Sequence, residues 1–419
     1  MIRSASIILC VAVAFLSIAS ADDAKQIASP EWTQWRGPNR DGLIQTGEWP
    51  DALKDRLALV WEKNLGPSYS GPVIANNLVF TTETVDRQFE RVTAFELATG
   101  EVAWTTQWDG SMAVPFFAAS NGDWIRSTPA CDGTHLVVAG MRDMVACIDT
   151  KTGKDIWRVD LPQKVGSPLQ PFGCVCSPVI DGDAVYLQSG GGLVKLSLAS
   201  GEVVWRSLES SGDMMTGGAF SSPIIATIAG QRQLVVAARD RLVGVDMATG
   251  EELWSESIES FRGMNILTPV MIDGRVFSSA HSGRSRLFDI SPGESGELAV
   301  DQVWENKAQA YMSTPIAIDD SLYMHMKNER LVCMDLKTGE EKWTTKTFGK
   351  YWSMVGNVQQ KKILALDADG TLRLIAADPT EFRIIDEMKV ADDTWAHLAV
   401  AGNFVVIRSL DSIRVYQWQ

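Results

Sequence analysis

The chain is built from short apolar runs that alternate with polar positions and end at turn residues. One stretch shows the whole pattern. Ser177-Pro178-Val179-Ile180 opens it and Asp181-Gly182-Asp183 interrupts it. Ala184-Val185-Tyr186-Leu187 alternates again, and Leu193-Val194-Lys195-Leu196 follows a Gly-rich loop. Glu202-Val203-Val204-Trp205 closes it after a Ser-Gly turn. Period-two alternation in runs this short, bounded by Gly, Asp and Ser, predicts antiparallel strands joined by tight turns.

The unit recurs. Its starts are Ser70-Gly71-Pro72, Thr128-Pro129, Ser177-Pro178, Ser222-Pro223, Thr268-Pro269 and Thr314-Pro315, a period of about 45 residues. Its end is a second phrase, Asp335-Leu336-Lys337-Thr338-Gly339 with Trp343. Copies run from Asp149 to Gly153 with Trp157 and from Asp246 to Gly250 with Trp254. Looser copies end at Gly100 with Trp104 and at Gly201 with Trp205. Asp or Ser can bond its own downstream backbone, and Gly accepts the positive φ of a tight turn. The Trp ring is then placed to fill the gap between neighbouring repeats.

Two degenerate units follow, near Ser353 and Trp395. The seventh keeps Ile363–Leu366 and Leu372–Ile375 but lacks the Pro, the Thr-Gly and the Trp. The eighth stops after three strands, the last two at Phe404–Ile407 and Ile413–Tyr416. Ala58-Leu59-Val60-Trp61 reads as a last strand with no strands before it. The pattern therefore predicts an all-β fold: an eight-bladed β-propeller of four-stranded blades, closed by the N-terminal strand so that no sheet edge is left open. Seven blades is the alternative if the seventh unit is too short. Residues 57–419 read as one propeller domain. Residues 22–56, with Trp32-Thr33-Gln34-Trp35-Arg36-Gly37-Pro38, read as an N-terminal arm lying over it.

Residues 1–21 read as a cleaved export signal. Arg3 supplies the positive end, Ile7 to Ile18 the apolar core, and Ala19-Ser20-Ala21 the cleavage site. The core is short for a membrane span, and no later segment resembles one. Cys10 lacks the small residues that a lipidation signal wants before it. The expected location is periplasmic or secreted.

Charge narrows the partners. Lys and Arg number 38 against 52 Asp and Glu, a net charge of −14. That argues against general nucleic-acid binding. Envelope or secreted proteins are the expected partners of a monomeric propeller.

Most candidate chemistry fails on spacing. Cys131, Cys147, Cys174, Cys176 and Cys333 lack zinc spacing, and a Cys131–Cys147 link stays open. His135, His281, His325 and His397 are scattered through loops and are expected to be solvated. Asp367-Ala368-Asp369-Gly370 lacks the first and last carboxylates of a calcium loop and reads as a strand turn. Gly190-Gly191-Gly192 lies between strands, so a phosphate cradle is unsupported. No nucleophile elbow is present. No catalytic, cofactor-binding or metal-binding residues are assigned.

One constellation remains. In a propeller, the loops before each first strand share a face with the hairpins between strands two and three. The first set carries Tyr69, Trp124, Phe172, Phe220 and Met264, and further on Tyr311, Tyr351, Trp352 and Trp395. Arg126 and Arg262 belong to the same loops. The hairpins carry Arg142, Arg239, Arg241, Arg284, Lys327 and Arg330. A mouth of aromatic and basic groups can hold an extended peptide, a carboxylate-bearing ligand or a glycan.

The unit S/T-P … D-x-x-T-G-x-x-x-W resembles the repeat of the pyrroloquinoline-quinone (PQQ) quinoprotein superfamily, over Leu57 to Gln419. The leader from Trp32 to Gly42 is similar to the start of exported PQQ-like propellers of planctomycete-type bacteria. The resemblance implies two trades. One is a quinoprotein oxidoreductase holding PQQ and calcium above the ring. The other is a non-catalytic propeller such as the BamB-like subunit of the outer-membrane β-barrel assembly machine. The dehydrogenases carry an adjacent Cys-Cys pair, whereas this chain has Cys174-Val175-Cys176. The expected function is an exported, non-catalytic, protein-binding scaffold without cofactor, in envelope or outer-membrane protein assembly. PQQ-dependent oxidation and a glycan- or ligand-binding envelope module are the alternatives.

Overall fold

A computed structural model describes residues 31–209, 219–294 and 296–419. The expected signal at 1–21 and Cys10 lie outside the described residues. The described chain forms eight antiparallel four-stranded sheets in a ring. Blade 1 is Val73–Ala75, Leu78–Val85, Phe89–Glu96 and Val102–Asp109. Blades 2 to 6 begin at Ala130–Cys131, Val179–Asp181, Ile224–Ile228, Val270–Ile272 and Ile316–Ile318. Blade 7 runs from Ser353–Asn357 to Ile384–Lys389, so the degenerate seventh unit does make a blade. Blade 8 is Ala399–Ala401, Phe404–Arg408 and Ser412–Trp418, completed by Leu57–Asn64. The ring closes through Leu57 opposite Trp418 and Asn64 opposite Ser412.

The strand sequences follow their place in the blade. Inner strands are covered on both faces, so Val73-Ile74-Ala75 and Ile316-Ala317-Ile318 are continuous apolar runs. Outer strands face solvent on alternate positions, as in Val102–Asp109. Each outer strand that carries the Trp breaks register just before it. Val60, Ile156 and Val204 are skipped in the pairing, each between partners that remain paired. Such a bulge re-aims the following side chain. It turns the Trp inward and leaves the skipped residue exposed, 55 % in the case of Val204.

The Trp reaches the next blade. Trp61 Nε1 donates to Leu97 O at 2.8 Å, Trp104 Nε1 to Thr150 O at 2.8 Å and Trp157 Nε1 to Leu198 O at 2.6 Å. Each ring lies against the Gly of that blade's turn. A methyl at Gly201 would fall 2.5 Å from the Trp157 ring, and Gly201 has φ +72°. Gly201→Ala is therefore strained twice over. We expect a loss of about 2 kcal/mol, measured by chemical denaturation. Trp254 is the exception. Blade 5 has no Thr-Gly turn, and Trp254 Nε1 donates instead to Gln233 Oε1 in its own blade at 2.6 Å.

The Ser/Thr-Pro starts form an inner circlet. Gly71 N donates to Thr128 Oγ1, Thr128 N to Ser177 Oγ, Ser177 N to Ser222 Oγ and Ser222 N to Thr268 Oγ1, at 2.9 to 3.1 Å. Each hydroxyl thus satisfies a backbone N–H of the preceding blade that no strand can reach. The repeated Ser or Thr is explained by this bond.

The arm crosses the ring near its axis. Trp32 pairs with Ile74 of blade 1, and Cys131 N of blade 2 donates to Thr33 O. Arg40 donates to Ser177 O and Pro178 O of blade 3. Arg36 donates to Thr314 O and Pro315 O of blade 6, both at 2.7 Å. Leu43–Ile44 then adds a parallel strand to blade 7. Farther on, Trp49 and Leu53 are buried in the core shared by blades 7 and 8. They supply apolar bulk beside the blade that lacks its own Trp.

Candidate functional site

The loops that precede the inner strands converge on the axis, and they enclose a cavity of about 260 Å³. Tyr69, Phe172, Phe220, Met264 and Tyr311 contribute to its wall, as do Tyr351, Trp352 and Trp395. The rings contact one another around the rim. Tyr351 stacks on Trp395 with centroids 4.6 Å apart, and Tyr69 meets Trp395 edge-on at 4.7 Å. Phe172 packs against Phe220 at 5.7 Å and against Phe117 at 6.1 Å. Phe117 belongs to the 3₁₀ turn Phe116–Asn121, inserted between blades 1 and 2. There Phe116 is 91 % exposed and Phe117 51 %.

The floor comes from the arm. Trp35 lines the cavity together with the hydroxyl circlet. Both arm guanidiniums sit over its ring, Arg36 at 5.6 Å and Arg40 at 5.7 Å. His397 meets the same ring edge-on at 5.9 Å. The aperiodic arm offered no sequence signal for this placement; the Ser/Thr-Pro repetition was the signal for the circlet.

One cation lines the cavity among the described residues, Arg126. Its Nη2 donates to Gly122 O at 2.8 Å, its Nε to Trp124 O at 3.2 Å, and it lies 5.9 Å from the Tyr69 ring. Burial pulls its pKa below the usual arginine value, against the pull of Tyr69 and Asp123. Burial raises the Tyr69 and Tyr311 phenols, which stay protonated at neutral pH.

The other candidate residues lie outside the lining. Trp124 is half-buried, with Arg87 over its ring at 5.6 Å. Arg142 and Arg330 are exposed on the hairpins. Arg284 pairs with Glu305 at 3.0 Å in its own blade. Arg239 donates to Arg262 O and lies over Phe220, while Arg262 covers Phe261. These hairpins belong to the second and third strands, farther from the axis. The guanidiniums of Arg284 and Arg239 find a carboxylate and a ring within the blades.

Two histidines depart from the expectation of solvated loop positions. His325 is buried and stacks on Trp352 at 4.9 Å, and burial pushes its pKa down to about 4. His397 is pushed down to about 3 by burial and by Arg36, and is neutral at physiological pH. Asp367 does sit in a strand turn, where Arg373 pairs with it at 2.6 Å. All five described cysteines are free and buried, so the Cys131–Cys147 link is not made.

The donor set can be compared with a calcium-bound tricarboxylate quinone. Calcium takes roughly six to eight oxygen ligands, carboxylates prominent among them. No carboxylate lines the cavity among the described residues, and no three His, Cys, Asp or Glu side chains converge among them. A single guanidinium faces what would be three carboxylates. Cys174 and Cys176 are buried, and burial pushes the Cys176 thiol up to about 11. These residues do not fit that pair.

The family described as outer membrane protein assembly factor BamB matches residues 88–345. The chain belongs to this family. It is 23% identical over 271 residues to the BamB of Yersinia pestis, across 59% of this chain and 64% of that protein. The matched segment thus spans less than two thirds of that relative. The solved structure of BamB from Moraxella catarrhalis superposes with a TM-score of 0.64 at 17% identity, over 86% of this chain and all of that one. Beyond the BamB proteins, the chain is 24% identical over 228 residues to quinohemoprotein alcohol dehydrogenase ADH IIB of Pseudomonas putida, across 51% of this chain and 32% of that protein. The cavity has to be read from its own residues. Among the described residues, no helix is long and apolar enough to cross a membrane.

Proposed function

We propose that this propeller is an exported, non-catalytic scaffold that binds protein partners during outer-membrane protein assembly, and that the aromatic mouth is its binding face. The observation that carries this reading is the pair Phe116 and Phe117. Large apolar side chains exposed beside a cavity, on a rigid scaffold, mark an interaction site. BamB membership supports the protein-binding trade, and the donor set of the cavity favours it over the quinone-dependent one. An envelope location belongs to the same reading.

Co-purification from envelope extract tests it. The native chain is expected to retain outer-membrane assembly proteins, and Phe116→Ser with Phe117→Ser to reduce capture by about tenfold, as loss of two interface anchors implies. Neither residue supports the core, so the melting temperature should hold. Equal capture by the double variant, or enrichment no greater than with an unrelated propeller, overturns the reading.

A further inference from the structure

The cavity is blind. Trp35 closes it from below, and the arm is anchored on both sides of the axis by Arg40 on blade 3 and Arg36 on blade 6. A polypeptide cannot thread the ring, so what enters from the mouth is a loop tip or a chain end. The chemistry of the wall separates these two. It is aromatic around most of its circumference, which suits one apolar side chain. The hydroxyls of Thr128, Ser177, Ser222 and Thr268 each accept a backbone N–H from the preceding blade and offer the cavity only a neutral O–H.

Arg126 is not spent. Two of its nitrogens are tied to backbone carbonyls, and among the described residues Nη1 has no hydrogen-bond partner and the guanidinium no ion pair. A guanidinium in an apolar wall is favourable only when a counter-charge meets it. Asp123 acts on it from outside the lining without forming an ion pair, and no carboxylate of this chain lines the cavity among the described residues. Two further polar groups there are idle. Trp352 Nε1–H and His397 Nε2 are buried without partners, and both residues contribute to the lining. His397 Nδ1 donates to Leu398 O, which leaves Nε2 as the acceptor.

We infer that the cavity takes the C-terminal residue of a partner polypeptide, with an apolar side chain among the rings and the α-carboxylate against Arg126. This rests on the mouth being the protein-binding face. A loop tip brings an apolar side chain but no carboxylate, whereas a chain end brings both. The exposed Phe116 and Phe117 lie where the residues upstream of that end would leave the cavity.

Calorimetric titration of the full chain tests the inference. The probes are an octapeptide ending in Phe with a free carboxylate, the same peptide amidated, and N-acetylphenylalanine. The free acid is expected to bind about 10- to 100-fold tighter than the amide, the range of one charge-assisted hydrogen bond. Arg126→Gln should bring the acid down to the level of the amide and leave the amide unchanged. If Arg126→Gln melts early, Arg126→Lys takes its place and should keep the preference for the acid. Equal binding of acid and amide, binding of neither, or binding of N-acetylphenylalanine without the octapeptide overturns the chain-end assignment. Envelope proteins captured through Phe116 and Phe117, with no peptide bound, would overturn it and leave the scaffold reading intact.

Discussion

Replacing Arg36 by Ala is expected to lower stability by about 4 kcal/mol, the largest single effect on the fold outside the blades themselves. Arg36 is completely buried and donates to Thr314 O, Pro315 O, Asp41 O and Arg40 O. Burial pulls its pKa down to about 10, so it stays charged at neutral pH. Removing it leaves several carbonyls unpaired in the interior, at about 1 to 3 kcal/mol for each that water cannot reach. It also frees the arm from blade 6. For a ring of this size the melting temperature should fall by about 5 °C. Arg36→Lys keeps the charge but loses the planar fork, and should recover only part of the loss. A melting curve unchanged in Arg36→Ala would mean that the arm is not fastened through this residue.

Glu90 carries the second large effect, which is a dependence on pH. It is buried between blades 1 and 2, where Trp108 Nε1 donates to one oxygen at 2.9 Å and Met141 N to the other at 2.6 Å. Burial dominates these contacts and raises its pKa from 4.5 to about 7. Between those values the folded chain holds a proton that the unfolded chain has lost. Stability should therefore fall as pH rises from about 4.5 to 7, by about 3 kcal/mol in all, and level off above. Below 4.5 both states are protonated and this contribution is flat. Asp143 is also raised by burial, so the wild-type curve contains both groups. The difference between wild type and Glu90→Gln isolates one of them. Denaturation at several pH values should show the two proteins converging in acid and Glu90→Gln the more stable at pH 8. Parallel curves would show that Glu90 is ionised in the folded chain throughout this range.

Blade number and ring closure were legible because they rest on local chemistry repeated along the chain. The Thr-Gly turn, the Trp after it and the Ser/Thr-Pro start each have one physical use. Their absence from the seventh unit did not prevent a blade, because alternation in Ile363–Leu366 and Leu372–Ile375 is enough to form its central strands. The aromatic half of the cavity was legible for a topological reason. The loops before the inner strands run close to the axis, so Tyr69, Phe172, Tyr311 and Trp395 arrive together, while Trp124 and Arg262 of the same loops stay out of the lining. The basic half was not. A long guanidinium on an outer hairpin chooses between the mouth and its own blade by partners that composition does not reveal, such as Glu252 for Arg241 and Glu305 for Arg284. Trp35 was hidden for the opposite reason. The arm has no periodicity of its own, and its course is decided by carbonyls on blades far away in sequence.

The borrowed strand has a consequence for assembly. Seven blades are made of neighbouring hairpins and can form as the chain emerges, since their contacts are local. Blade 8 joins Leu57–Asn64 to Ser412–Trp418, so its pairing waits for the far end of the chain. Until then Trp61 has its berth in blade 1 but no sheet behind it, and both faces of the open seam are unpaired edges. The interval between synthesis of the seventh blade and capture of the last three strands is when this protein is most exposed to pairing with something else.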